Sequence, residues 1–304
     1  MPDISVLIPA LNARATIGAA ITSTFRALPI DSEIIILDDG STDDTAQRAA
    51  DAAQQCGRAG NLRILSHQTP QGVATALNEM LNASDSRLVA RMDADDITLP
   101  GRFRAGLKAI AGGDDFVFSQ MIRFGSGLPR PYPPLEITPE ALRLELLITN
   151  PVCHPTMLAT RDALQHRLGG YRTVPAEDYD LWLRAATLDM KLRRLASWGL
   201  LYRMHPGQVT ASKTWRSQSW ASQAQAQAYA AYTEHTVGVP LKRLVAIAAM
   251  SGDQRITEMD RFTTHVGPAL DAIPGFHGRL VRRRYRQRIA WATHQQPNDS
   301  GANN

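Results

Sequence analysis

The chain is short of cysteine: Cys56 and Cys153 are the only two in 304 residues. Two thiols cannot build a disulfide framework or a thiolate metal centre, so each reads as a small apolar filler in a reducing compartment. No run approaches the roughly 18 to 20 apolar residues that a membrane span needs. Met1-Pro2-Asp3 opens the sequence without a basic region and apolar core, so no signal peptide is read there. A net excess of either charge is nearly missing as well. Lys plus Arg number 33 against 29 Asp plus Glu, a formal +4, which is weak support for a polyanionic partner. Two nucleotide-binding signatures are also absent. There is no G-x-G-x-x-G after the first apolar run and no G-x-x-x-x-G-K-[ST], which disfavours the dinucleotide fold and the P-loop.

What is present is a regular alternation over the first 120 residues. Ile4-Ser5-Val6-Leu7-Ile8 reads as a buried strand ended by Pro9, with a helix over 14–27. Ile34-Ile35-Ile36-Leu37 is a second strand before a helix at 43–55, and Leu62-Arg63-Ile64-Leu65 a third before a helix at 72–82. Leu88-Val89-Ala90-Arg91-Met92 is a fourth, followed by a helix opened by Pro100, and Phe116-Val117-Phe118 a fifth. Strands alternating with helices imply an α/β fold with a mostly parallel central sheet flanked by helices. Ligands in such sheets bind beyond the carboxyl ends of the strands.

Residues 125–139, with Pro129, Pro131, Pro133 and Pro134, read as a loop or linker. A helix at 139–148, a turn at Asn150–Pro155, a strand at 156–159 and a helix from Glu177 follow. Residues 215–233 and 240–250 read as further helices, and the tail after Pro297 as disordered. The expected division is 1–125 as one α/β half, 126–212 as a second half of the same domain, 213–296 as a helical extension and 297–304 as tail.

Both acidic clusters fall at strand ends. Asp93 and Asp95 flank one small residue, so in extended backbone both carboxylates point one way, toward a metal or a diphosphate. Burying Asp93, Asp95 and Asp96 together without a cation is costly, and a divalent ion bridging to phosphates resolves the repulsion. The competing reading is a solvated turn. Asp38-Asp39-Gly40-Ser41 is the second acidic turn, where Ser41 or Asp43 caps the next helix and Asp39 is placed to accept from a base or ribose. Glu177-Asp178 opens a helix, where carboxylates complement the dipole; equally, Asp178 suits a general base. His205 is a candidate third metal ligand, Arg203 a candidate for a phosphate oxygen, and His154 a shaper of an acceptor pocket. Arg282, Arg283, Arg284, Arg286 and Arg288 form either a solvated helix face or a contact for anionic headgroups or a phosphorylated acceptor, with nucleic acid disfavoured.

These pieces, in order, resemble the family 2 glycosyltransferases of the non-processive bacterial type that build surface polysaccharides and glycans. Ser5–Asn12 is similar to that family's first strand and nucleotide loop, and Asp38–Asp43 to its second turn. Gln71-Gly72-Val73-Ala74-Thr75-Ala76-Leu77-Asn78 is similar to N-x-G-x-x-x-A-x-N, with Gln71 beside the glycine. Asp93-Ala94-Asp95-Asp96 resembles the D-x-D element, Glu177–Trp182 with Arg184 the E-D-x-D-L-W-x-R element, and Leu201–His205 the late Y-R-x-H. The resemblance implies a GT-A fold, with 1–125 as its nucleotide-sugar-binding half and 126–212 as its acceptor and catalytic-base half. It implies an inverting transfer of one sugar from a nucleotide-diphosphate donor, with UDP favoured, to a glycan or lipid-linked hydroxyl. It implies Asp39 on the base, Pro9 and Asn12 lining the nucleotide pocket, and Asp93 on ribose or donor sugar. It further implies Asp95 on Mg²⁺ or Mn²⁺ with His205 completing the shell, Asp178 as base and Glu177 orienting it or the acceptor. The Q-x-x-R-W element and membrane spans of processive synthases are missing, which favours one addition per cycle. The expected location is cytoplasmic, with peripheral contact at the inner membrane face through the arginine-rich segment. A sugar nucleotidyltransferase is the rival enzyme, but Pro9-Ala10-Leu11-Asn12 lacks its Gly-rich basic loop. An idle nucleotide-sugar-binding protein is the other rival, opposed by intact Asp39, Asp95 and Asp178.

Overall fold

The computed structural model describes residues 3–125, 127–205 and 213–294. The tail expected to be disordered lies outside them. The chain divides into two compact units, each discontinuous in sequence. The first comprises Met1–Glu136, Val152–Thr173 and Met190–His205, and the second Ile137–Pro151, Val174–Asp189 and Pro206–Asn304.

The first unit holds one sheet. Strands β1 (Ile4–Ala10), β2 (Glu33–Asp39), β3 (Leu62–His67) and β4 (Leu88–Arg91) lie parallel in the order β3-β2-β1-β4. They alternate with α1 (Ile17–Ala27), α2 (Thr45–Gln55) and α3 (Val73–Ala83). The β-branched runs of β1 and β2 are covered on both faces, so their side chains are buried almost without alternation. At the edge, β3 reverts to a half-exposed pattern. Ile8, Ile21, Ile36, Ala53 and Phe103 are among the residues of one continuous core, against which Cys56 and Cys153 pack half-buried.

Beyond β4 the sheet becomes mixed. It continues through β8 (Leu158–Thr160), β6 (Phe116–Gly125), β9 (Leu192–Arg203) and β5 (Ile97–Thr98), while β7 (Gly127–Pro131) forms a hairpin with β6. α4 (Arg102–Ala111) precedes β6. Three of these strands depart from the sequence reading. β7 occupies the stretch read as a loop: its prolines cannot donate to a ladder, yet among the described residues β7 pairs only with β6, so the donors they lack are not needed on the other side. β9 runs twelve residues, and bulges opposite Phe118, Gln120 and Met121 break the alternation that would have marked it. Pro9 does not end β1. The pairing of β4 stops at Leu7↔Arg91, so Pro9 sits where only β2 runs alongside.

The second unit contains α5 (Pro139–Glu145), α6 (Glu177–Thr187), α7 (Lys213–Ala221), α8 (Gln223–Val237), α9 (Leu244–Ala248), α10 (Gly252–Asp271) and α11 (Gly275–His294). The single helix expected over 215–233 is two, parted at Ser222, whose hydroxyl accepts from the Gln225 N–H at 3.4 Å. Trp182, Tyr229, Tyr232 and Phe262 are fully buried in this unit. Three tyrosine hydroxyls take up carbonyls at and just beyond the end of α5. Tyr229 donates to Leu147 O at 2.5 Å, Tyr179 to Leu146 O at 2.6 Å, and Tyr232 to Arg143 O. A helix end leaves such carbonyls without intrahelical partners, and the phenols satisfy them inside an apolar setting.

Candidate functional site

The carboxyl ends of β1, β2 and β3 are tied into one surface by short hydrogen bonds. After β1, Asn12 takes a left-handed conformation (φ 51°), which asparagine tolerates better than most side chains. Its N–H donates to Ser41 Oγ at 2.8 Å, and its Oδ1 accepts from the Thr42 N–H at 2.9 Å. Asp38 Oδ1 accepts from the Ser41 N–H at 3.0 Å. Gly40 has φ +83°, and a side chain there would meet Thr69 and Pro70 at 3.0 Å, so the turn requires glycine.

Asp39 spends most of its carboxylate within the protein. Oδ1 meets His67 Nδ1 at 2.7 Å and accepts from the Gln71 N–H at 2.8 Å, while Oδ2 accepts from the Gly72 N–H at 2.9 Å. Burial alone would raise this carboxyl, but the hydrogen bonds from His67, Gln71 and Gly72 outweigh it and hold its pKa below the ordinary value. The far nitrogen of His67 reaches Glu79 Oε2 at 2.9 Å, and the hydrogen bonds to Asp39 and then Glu79 raise the imidazole pKa. His67 was not singled out from the sequence. The signal exists only in the strand register, which sets Asp39 directly opposite His67.

The second cluster follows β4. Ligand-capable oxygens of Asp93, Asp95 and Asp96 lie within 4.8 Å of one another. At that separation two full carboxylate charges repel by about 3 kcal/mol at an effective dielectric near 20. Asp96 is fully buried; its Oδ1 accepts from the Arg203 N–H at 2.7 Å, and its Oδ2 has no hydrogen-bond partner among the described residues. Burial, then the charges of Asp93 and Asp95, push the Asp96 carboxyl well above its ordinary pKa. Asp93 is raised by burial despite its ion pair with Arg91. Asp95 Oδ2 meets His205 Nε2 at 3.0 Å, and Asp95 O accepts from Arg203 Nε at 2.7 Å, with that guanidinium lying over Phe124 at 4.5 Å. An orphaned buried oxygen in a trio of mutually repelling hard donors fits a divalent cation such as Mg²⁺ or Mn²⁺.

A buried arginine steadies the base of this loop. Arg102 donates to Arg91 O at 2.6 Å and Pro155 O at 2.7 Å, and burial lowers its pKa to about 10. Nearby, His154 is buried and bonded to the Tyr171 hydroxyl at 2.9 Å; burial pushes its pKa well below the ordinary value, so it is a neutral core group.

In the second unit, Glu177 and Asp178 occupy the first turn of α6, after Ala176 in a left-handed conformation (φ 54°). Asp178 Oδ2 accepts from Asn150 Nδ2 at 2.7 Å, and its Oδ1 from the Tyr179 N–H at 2.7 Å. Of the residues singled out from sequence, the first unit thus brings Asp93, Asp95, Arg203 and His205 together. Pro9, Asn12 and Asp39 share the strand-end edge of that unit, and Glu177 and Asp178 belong to the second. Sequence reasoning passed over Asn150, Arg91 and Arg102. A charge inside the otherwise apolar run Leu88–Met92 is the signal that could have found Arg91.

Comparison with known proteins agrees with this architecture. The family profile described as Glycosyl transferase family 2 matches residues 5–168. Succinoglycan biosynthesis protein ExoU of Rhizobium meliloti is 37% identical over 115 residues, covering 38% of this chain and 32% of that protein. The match therefore spans about a third of that relative's length. The UDP-Glc:alpha-D-GlcNAc-diphosphoundecaprenol beta-1,3-glucosyltransferase WfaP of Escherichia coli is 27% identical over 228 residues, covering 70% of this chain and 82% of that one. Among solved structures, mannosyltransferase PcManGT from Pyrobaculum calidifontis, in complex with GDP-Man and Mn²⁺, superposes with a TM-score of 0.55. That likeness, at 16% identity, covers 97% of this chain and 84% of that one, and concerns the fold, which is GT-A.

Proposed function

The chain belongs to glycosyl transferase family 2, and we propose that it moves one sugar per cycle from a nucleotide-diphosphate donor to a hydroxyl of a glycan or lipid-linked acceptor, dependent on a divalent metal. The observation that carries this reading is the trio Asp93, Asp95 and Asp96, with the buried Asp96 Oδ2 unpartnered among the described residues. UDP is the favoured nucleotide, supported by the UDP-Glc donor in the name of the Escherichia coli relative. A lipid-diphosphate acceptor is supported by the same name.

In this reading Asp95 and His205 hold Mg²⁺ or Mn²⁺, and the ion, when bound, neutralises charge on the diphosphate leaving group. Asp93 contacts the ribose or donor sugar, and Arg203 a phosphate oxygen. Pro9, Asn12 and Asp39 line the pocket for the nucleotide; the hydrogen bonds among the loops after β1, β2 and β3 keep that surface rigid before substrate arrives. Asp178 takes the proton of the acceptor hydroxyl. The freed oxygen attacks the anomeric carbon as the bond to the diphosphate breaks, so configuration inverts and no protein nucleophile is needed. Asn150 holds one oxygen of Asp178, and Glu177 orients the base or the acceptor.

The test is a panel of UDP-, GDP-, dTDP- and CMP-sugars incubated with the purified chain, Mn²⁺ or Mg²⁺ and a lipid-diphosphate saccharide, with released nucleotide measured. Nucleoside diphosphate released only with metal, and lost in Asp95→Asn, is the expected result. Pyrophosphate as the product, or turnover unchanged in Asp95→Asn, would sink the reading.

A further inference from the structure

We propose that the outer face of α11 is a docking surface for an anionic phospholipid membrane. The helix, Gly275–His294, contains six arginines and no Asp or Glu. Three of the six are committed to their own unit. Arg284 Nη1 pairs with the fully buried Glu145 at 2.9 Å, Arg288 Nη2 donates to Thr149 Oγ1 at 3.4 Å, and Arg282 Nη1 donates to Ile273 O at 3.1 Å. Gly278, Val281 and Ala292 are buried on the same inward side. Arg-rich composition is therefore partly structural, and only the remainder can serve a partner.

That remainder is ordered in space. Arg279, Arg283 and Arg286 are exposed, with no ion pair among the described residues. With Phe276 they fall at spacings of three, four and three, which on a helix places all four within about 80° of arc and along about 15 Å. Phe276 is 55% exposed, and the Arg279 guanidinium lies over its ring at 5.5 Å. Among the described residues, the water-exposed carboxylate paired with this helix is Asp271, 3.9 Å from Arg282 and so beside the inward set.

Charge complementarity then selects the occupant. Unneutralised guanidiniums match phosphate oxygens in bidentate fashion, and a straight row on a convex helix suits a planar anionic surface. The apolar ring of Phe276 at the end of the row has a place at the boundary between headgroups and acyl chains, beneath the guanidiniums. A nucleic-acid partner would instead call for a groove tracking its backbone with several stacking rings, and of the three Phe, Tyr and Trp rings on α11 only Phe276 is exposed, Tyr285 and Trp291 being half-buried. The contact is peripheral, because the apolar side of α11 is already packed against its own unit.

The experiment uses the full chain with phosphatidylcholine vesicles, alone or with phosphatidylglycerol, in a flotation assay. Two variants are compared: R279A/R283A/R286A, and R26A/R104A/R130A, which removes the same charge from exposed sites elsewhere. Each basic group near an anionic surface contributes enough that losing three weakens partitioning by about a hundredfold. The expected result is binding to phosphatidylglycerol vesicles that fades with salt, is lost in the α11 variant and is kept in the other, with both variants melting as the parent does. Equal binding to pure phosphatidylcholine, equal loss in both variants, no binding by the parent, or displacement by a short oligonucleotide held more tightly than the vesicles would each overturn the proposal. The assay needs no sugar donor, so its failure leaves the transferase reading standing.

Discussion

Asp96→Asn should make the metal-free protein more stable and the metal-bound protein less so. Asp96 is fully buried, and its Oδ2 lacks a hydrogen-bond partner among the described residues. Two neighbouring carboxylates lie within 4.8 Å. Each would repel a charged Asp96 by about 3 kcal/mol at an effective dielectric near 20. Because the Asp96 pKa is raised well above 3.8, the folded protein binds more protons there than the unfolded chain does. Its stability contribution therefore falls as pH rises above the unfolded value, and levels off only above the raised folded value. Partial protonation relieves some of the repulsion in the parent. Neutralising the group should then gain about 1–3 kcal/mol at pH 8 without metal and little at pH 4. For a chain of this size that is a melting rise of roughly 2–10 °C. Asn keeps an oxygen for the Arg203 N–H and donates its amide to a neighbouring carboxylate. Differential scanning fluorimetry at pH 4 to 8, with EDTA or with Mn²⁺, reads both effects. With Mn²⁺ the parent should gain more than the variant. A variant that melts lower than the parent in EDTA at pH 8 would mean that the repulsion is outweighed by what the carboxylate gains from its neighbours.

Three further outcomes follow from named contacts. Asp178→Asn should lower kcat by about 10²–10⁴-fold with donor KM little changed, whereas a matching rise in KM would argue for a binding role. Tyr229→Phe leaves Leu147 O without its donor in a buried setting, and should cost about 1–3 kcal/mol in urea denaturation; a loss below about 0.5 kcal/mol would contradict that bond. The pKa of His67 is raised by its two carboxylate partners, so its stabilising contribution is complete below the unfolded value of 6.5 and disappears as pH rises through the folded one. His67→Gln should remove that loss from melting curves taken between pH 6 and 9, and an unchanged pH profile would count against the Asp39–His67–Glu79 chain.

The parallel half of the sheet was legible because β1 to β4 read as apolar runs alternating with helical stretches, with β1, β2 and β4 buried on both faces. Their order along the chain also put Asp39 and Asp93 at carboxyl ends, which is what made the acidic turns worth weighing. What stayed hidden depends on neighbours distant in sequence. β7 was disguised by prolines that an edge position tolerates, and most of β9, all but the end at Leu201–Arg203, by bulges that scramble its alternation. The fastening of Asp39 by His67 needs the β2–β3 register, and the orphaned oxygen of Asp96 needs β9, whose Arg203 N–H takes the other oxygen. Arg102 is the clearest case. A guanidinium at the start of an amphipathic helix suggests a solvated face, and only the converging carbonyls of Arg91 and Pro155 explain its burial.

A metal held by Asp95 and His205, beside the carboxylates of Asp93 and Asp96, should bind together with a nucleotide diphosphate. Calorimetric titration of UDP into the purified chain, with and without Mn²⁺, tests it most directly when repeated on Asp95→Asn. UDP affinity should rise at least about tenfold with Mn²⁺, a difference of about 1.4 kcal/mol, and that gain should vanish in the variant. Equal affinity with and without metal, or a gain that survives Asp95→Asn, would contradict it.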